Sequence, residues 1–306
     1  MILKGHIPSA KEKETFSDCL KAERHIPDSV KAILTALPKD LPVMQAIRTA
    51  VSALVVSGSS WPPTEKQAIE IFAKIPTIIT FFHHVSNGTT PIEPDMSLSH
   101  AGNYLYMLHG DKPTQAHIEA LETYLSVSIE HGMNASTFTA RVVSATEENL
   151  VGALTAAMAA LEGPLHGGAP SKVDDMLEAI GSQDLAAQWL REKIESGERL
   201  MGFGHRVYKT YDPRAAILKG VTEKLASDDN PLFQLALHVE SSAIALLAEY
   251  KPGRNLYPNL EFWTAGVLRT VNLPRSLYTP TFCLSRVAGW SAHVLEQSEH
   301  NRLIRP

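Results

Sequence analysis

The sequence predicts an all-α fold: a large helical domain with a smaller helical domain inserted into it. Three observations predict it. Apolar residues recur at helical spacing through most of the 306 residues. Runs of alternating Val, Ile and Thr joined by hairpin turns are absent. The main clusters of proline and glycine fall between the periodic segments: Pro62-Pro63, Gly88, Pro91, Pro94, Gly163-Pro164, Gly167-Gly168 and Pro252-Gly253.

In chain order, the first periodic segment is Ala46–Ser57 (AIRTAVSALVVS), and Glu65–Phe82 and Ser97–Leu108 repeat its spacing. Pro113–Thr137 opens on Pro-Thr, a helix-start signal, and carries Ile118, Leu121, Leu125 and Ile129 on one face. Glu147–Leu161, rich in Ala and Leu, reads as a tightly packed central helix. Ser182–Arg199 is polar and reads as a surface helix pair, and Leu232–Tyr250 as another strong helix. Residues 1–167 and 265–306 hold apolar helices that want a shared core, whereas 168–264 is more charged and carries glycine turns. A smaller lobe inserted into a larger one would place ligand groups at a cleft between them.

Composition excludes several classes. A net charge of −5 argues against a general nucleic-acid binder. Cys19 and Cys283 are too few for a disulfide framework or a cysteine-based zinc site. The start, MILKGHIPSAKEKETF, lacks the apolar core and cleavage pattern of a signal peptide, and no apolar run looks long enough to span a bilayer. The expectation is a cytoplasmic protein with neither nucleic-acid nor membrane partners.

Four segments carry polar residues that a core does not need. In MGFGHRVYKTYDPR (201–214), Gly202 and Gly204 bracket Phe203, His205 follows, and Arg206, Lys209 and Arg214 come after. Glycines let backbone approach a ligand, a histidine there titrates near neutrality, and clustered cations suit carboxylates or phosphates. A glycine turn before a helix with solvated basic residues fits the stretch equally well. In EHGMNASTF, His131 and Asn134 are three apart and would share a helical face, although a structural histidine is the commoner case. In GPLHGGA, His166 stands between Gly-Pro and Gly-Gly. Near a helix N-terminus it would be biased to the neutral form and could donate to a developing oxyanion; an incidental histidine at a helix cap is the alternative. In YPNLEFW, Glu261 is flanked by apolar and aromatic residues, a setting that would raise its pKa towards that of a general base; an exposed helix-start glutamate is the alternative.

Other chemistries find no support. The histidines are too widely spaced for a metal site, and His83-His84 point to different faces of a helix. Cys283 has no adjacent base, and neither a G-x-S-x-G, a GxGxxG nor a P-loop pattern occurs.

Taken together and in this order, EHGMNASTF, GPLHGGA, GFGHRVYKTYDPR, YPNLEFW, TPTFCLSRVAGWSAHVLEQ and the terminal NRLIRP resemble the citrate synthase family. The resemblance implies a substrate pair, oxaloacetate and an acyl-CoA, with a CoA thioester as co-substrate, no permanently bound cofactor and no metal. By position, His166 matches the histidine that hydrogen-bonds the thioester oxygen, Glu261 the base that removes the methyl proton, and His205 the histidine that polarises the ketone. His131 matches a further oxaloacetate ligand. Arg214 and Arg286 match the arginines that clamp the dicarboxylate, and Arg305 an arginine donated across a homodimer interface. Phe282 matches an aromatic beside the substrate, Asn134 an asparagine close to the substrate histidines, and Lys209 and Arg254 cations near the CoA phosphates. Most relatives carry Asp where this chain has Glu261, and the family's usual N-terminal hairpin and first helix have no counterpart in the chain. The implied reaction is condensation of acetyl-CoA with oxaloacetate to citrate. Propionyl-CoA, giving 2-methylcitrate, is the rival, and a non-catalytic dicarboxylate- or CoA-binding relative is the alternative from another class.

Overall fold

The computed structural model describes residues 2–58, 61–163, 165–167, 169–205, 207–208, 210–226 and 230–305, with Ala169 and Pro170 described by backbone alone. Among the described residues there are helices and no strand; the extended pairing is a single antiparallel bridge between Phe203 and Pro258. The chain divides into two compact units: residues 1–118, 125–167 and 279–306 form one, residues 119–124 and 168–278 the other.

The first unit contains α1 (Ala10–Ala22), α2 (Asp28–Ala36), α3 (Val43–Ser52), α4 (Glu65–Ser86), α5 (His100–His109), α7 (Ala135–Ser144), α8 (Leu150–Glu162) and α14 (Tyr278–Glu299). Helix α6 (Gln115–Ser128) begins and ends in it. Helix α4 is the spine: it packs against α1, α2, α3, α5 and α8 and buries Ile71, Ile75, Ile78, Ile79 and Phe82. Its start follows from chemistry within four residues, because Thr64 and Gln67 form a capping box. Helices α7 and α8 pack on each other, and α8 also meets α3. Helix α14 buries Cys283, Leu284, Val287, Trp290 and Val294. Burial pushes the Cys283 thiol well above its ordinary range, so it is no nucleophile.

The second unit contains α9 (Ala169–Ile180), α10 (Gln183–Glu195), α11 (Pro213–Leu225), α12 (Pro231–Tyr250), α13 (Leu260–Thr270) and a short 3₁₀ turn, Arg275–Leu277. Helix α13 packs against α9 and α11, and α10 packs against α12. Phe262, Trp263, Val267 and Leu268 of α13 are buried there. Arg269 on α13 pairs at 2.5 Å with Asp174 on α9, whose side chain is almost wholly buried.

The structure differs from the sequence reading in four places. The helix expected over Pro113–Thr137 is two helices: α6 ends at Ser128, Gly132 takes a left-handed φ of 60°, and Asn134 caps a new helix. His131 and Asn134 therefore do not share a helical face. The surface pair expected over Ser182–Arg199 is one helix, α10, which buries Ala186, Leu190 and Ile194. The chain returns to the first unit at Thr279 rather than at residue 265, because α13 finds its apolar partners on α9 and α11. Finally, α4 and α12 are long and apolar enough by composition to cross a membrane. In α4 that composition serves the packed interior, where Lys74 is buried with its ammonium 2.9 Å from Glu23.

Candidate active site

In the first unit, three sequence segments converge around His166. His166 stands in the turn between α8 and α9, its backbone N–H donating to the Gly163 carbonyl at 2.9 Å. The turn is tight: a Cβ at Gly167 would collide with the Leu161 carbonyl oxygen, so glycine is required. Thr279, at the start of α14, donates to the Gly167 carbonyl at 3.3 Å.

Nε2 of His166 lies 2.8 Å from the hydroxyl of Ser136. That hydroxyl receives the indole N–H of Trp290 at 3.2 Å and sits 2.8 Å from Oδ1 of Asn134. Oδ1 is identified as the oxygen because it accepts the Thr137 backbone N–H, capping α7. An indole only donates and an amide oxygen only accepts, so the single Ser136 proton has two acceptors in reach, Asn134 Oδ1 and His166 Nε2. Where it goes decides which nitrogen of a neutral His166 carries the hydrogen. Asn134 thus reaches His166 through Ser136, a residue the sequence reading gave no role.

Burial, and then the charge of Arg286, hold the His166 imidazole below the ordinary histidine range. The neutral form expected from a helix dipole is therefore favoured by desolvation and a nearby cation. Arg286 is itself buried, with its guanidinium 4.5 Å from the centre of the Phe282 ring. His131 is half-buried in the loop between α6 and α7. That loop lies close against α14, where a Cβ on Gly289 would strike the Ile129 carbonyl oxygen. Arg305 is exposed in the C-terminal tail, which Asn301 ties to the Ala145 carbonyl at 3.3 Å.

In the second unit, the glycine turn and the start of α13 are stitched together. Gly204 N–H donates to the Tyr257 carbonyl at 2.8 Å, and Asn259 N–H to the Gly202 carbonyl at 2.9 Å. Gly202 and Gly204 both take φ of 81°, where side chains are strained. A Cβ on Gly202 would meet Phe262 and Val173, and one on Gly204 would meet Leu256. The glycines therefore let the turn seat against α13 and the segment before it. Asn259 caps α13 through the Glu261 N–H at 3.1 Å and donates from its amide to the Gly204 carbonyl at 2.9 Å.

His205 follows that turn. Its Nδ1 accepts the backbone N–H groups of Val207 and Tyr208 at 3.0 and 3.1 Å. A neutral ring so held carries its hydrogen on Nε2. Nε2 lies 3.5 Å from Nη2 of Arg214. Burial and then the Arg214 charge push the imidazole below the ordinary histidine range, against an opposing pull from Asp212. Glu261 sits in the first turn of α13 between buried Leu260 and Phe262, with Oε2 shut away from solvent. Arg254 is exposed in the turn after α12. Lys209 lies outside the described residues. Among those residues no His, Cys, Asp and Glu grouping could hold a metal ion.

Sequence reasoning passed over Ser136, Asp212, Asn259 and Trp290. Two of them had a readable signal: Asp212 precedes Pro213 and Asn259 precedes an apolar run, the pattern of helix N-caps.

Each unit thus pairs a histidine biased to the neutral form with an arginine: His166 with Arg286, and His205 with Arg214. Such pairs suit a ligand whose reacting carbonyls stand beside carboxylates. The citrate synthase C-terminal domain model matches residues 1–306 of the chain. A citrate synthase of Haloferax volcanii is 39% identical over 99% of this chain and 81% of its own length. A 2-methylcitrate synthase of Shewanella oneidensis is 35% identical over 100% and 81%. A citrate synthase from Thermoplasma acidophilum, solved in ternary complex with carboxymethyl coenzyme A and oxaloacetate, superposes with a TM-score of 0.91 at 32% identity, covering 100% of this chain and 82% of its own.

Proposed function

This chain belongs to the citrate synthase family and is an acyl-transferring enzyme of that type, and on that premise we propose that it condenses acetyl-CoA with oxaloacetate and hydrolyses the citryl-CoA formed. The observation that carries this reading is the pairing of a neutral-biased histidine with an arginine in each unit.

The roles follow from what each group can do. Glu261 removes a methyl proton of acetyl-CoA. A thioester α-proton is weakly acidic, so the step needs a donor at the oxygen where charge develops, and His166 supplies one as a neutral imidazole. The enol carbon attacks the ketone of oxaloacetate, whose oxygen takes the hydrogen on Nε2 of His205. Arg214 and Arg286 hold the two carboxylates and fix the orientation of attack, with His131 as a further ligand, Phe282 packing beside the substrate and Asn134 acting through Ser136. Water then cleaves the thioester, so that acetyl-CoA, oxaloacetate and water give citrate, CoA and a proton. Gly202 and Gly204 shape the turn that carries His205. Lys209 and Arg254 are assigned to the CoA phosphates. In a homodimer, Arg305 would complete the partner's oxaloacetate site. The smaller domain closing over bound substrate would keep water from the enol. We assign the protein to the cytoplasm, as its sequence leads one to expect.

A second reading, condensation of propionyl-CoA to 2-methylcitrate, is favoured by the 35% identity to the Shewanella enzyme. Comparing kcat/KM for acetyl-CoA and propionyl-CoA, with released CoA trapped by a thiol reagent, tests both. A higher value with acetyl-CoA is expected; an equal or inverted ratio overturns the citrate assignment, and no CoA release with either overturns condensation.

A further inference from the structure

We propose that Asp212 is a positioning residue for the condensation: one buried carboxylate that presents Arg214 to the substrate and holds the helix carrying Glu261 in register with it. This rests on the roles proposed above for Arg214 and Glu261.

Asp212 is 2% exposed. Its Oδ1 accepts the backbone N–H of Arg214 at 3.0 Å and Nε of the same residue at 3.0 Å. Its Oδ2 accepts Nη2 of Arg214 at 2.8 Å and the backbone N–H of Leu260 at 3.0 Å. Four donors thus face one carboxylate, about the number an ionised carboxylate can take. Burial pushes this carboxyl up, but the Arg214 hydrogen bonds and charge, with the Leu260 N–H, leave it below the ordinary range and ionised.

Capping α11 does not require this arrangement. The first bond, to the Arg214 backbone, is a helix cap that serine or asparagine makes equally well. The other three reach a guanidinium and a second helix. Asp212 grips Arg214 along its Nε–Nη2 side, so the guanidinium edge left for a second carboxylate is Nη1–Nη2. That edge matches a carboxylate two-on-two. The fourth bond falls on Leu260, the first residue of α13, next to Glu261. One side chain therefore sets both the arginine that receives the dicarboxylate and the helix start that bears the base. A misplacement of about 1 Å at either point can cost about a hundredfold in rate.

The test uses the full chain and Asp212→Ser, which keeps the α11 cap and loses the grip on the guanidinium and α13. Oxaloacetate affinity is measured by calorimetry, turnover by CoA release, and folding by thermal unfolding. The expected result is a folded protein whose oxaloacetate Kd and KM rise at least about tenfold while KM for acetyl-CoA moves less than about twofold, with kcat lowered. A purely structural role would lower the unfolding midpoint and leave oxaloacetate affinity at the wild-type value, and that outcome overturns the inference. If Asp212→Ser does not fold, Asp212→Asn, isosteric but uncharged, is read the same way. A wild-type chain that binds oxaloacetate without releasing CoA overturns condensation alone; one that binds no oxaloacetate overturns both.

Discussion

The hydroxyl of Ser136 lies 2.8 Å from Nε2 of His166. For His166 to donate from Nδ1 to a forming enolate, its Nε2 must act as acceptor, and Ser136 is the donor within reach. We expect Ser136→Ala to lower kcat at least about tenfold, since losing the partner that selects a histidine tautomer is costly in other catalytic sites. Oxaloacetate affinity should stay near wild type. Unchanged kcat in the folded variant would show that Ser136 does not set the tautomer.

Glu261→Gln keeps the shape of the side chain and removes its basicity. Turnover should fall by about a hundred- to ten-thousandfold, the range general-base catalysis supplies. Oxaloacetate binding, measured by calorimetry, should remain within about threefold. Wild-type turnover in this variant would take the base role away from Glu261.

Arg305, exposed in the C-terminal tail, is proposed to serve a neighbouring subunit. Arg305→Ala and Glu261→Gln should each be nearly inactive alone. In mixed dimers, one of the two sites would combine an intact Glu261 with the partner's intact Arg305. Co-refolding equal amounts should therefore recover about a quarter of wild-type activity, because about half the dimers are mixed and each holds one good site. No recovery from a mixture shown to exchange subunits would place Arg305 outside the partner's site.

His100 gives a pH prediction for stability. Its ring stacks on Phe72 with centroids 4.5 Å apart, and neither ring nitrogen has a hydrogen-bond partner among the described residues. Burial, and then the Arg24 charge, push its pKa down to about 3. The unfolded chain binds this proton at about pH 6.5 and the folded chain does not. The contribution of neutral His100 to stability is thus complete above about pH 6.5 and lost as pH falls from there towards 3. His100→Phe should stabilise the protein by about 1 kcal/mol at neutral pH, by removing buried unpaired nitrogens. It should also flatten the acid limb by up to about 1.4 kcal/mol per pH unit. Denaturant titrations from pH 4 to 8 that overlay for both proteins would show that His100 does not titrate on unfolding.

Helix identity and the individual motifs were legible in the sequence because each depends on neighbours a few residues apart. Thr114 and Asn149 announce helix starts through their own side chains, each accepting an N–H three residues on. The break at residues 129–134 was harder to see. Ile129 continues the apolar period, and what ends the helix is Gly132 in a left-handed conformation and a fresh cap at Asn134. The home of α13 was not legible at all, since an apolar helix advertises a need for partners without naming them.

By itself the sequence determined an all-helical chain and the residue types its site would use: three histidines, a carboxylate and several arginines. Tertiary structure decided their state and their company. His166 is neutral-biased because its turn is desolvated and, second, because the charge of Arg286, from a helix far along the chain, acts on it. Arg214 is aimed by an aspartate that also takes the first N–H of α13. Caps and periodicity act along a few bonds of chain and so can be read from order alone. Burial and Coulomb forces act through space, and their values exist only once the fold has set which groups are near and how much water remains between them.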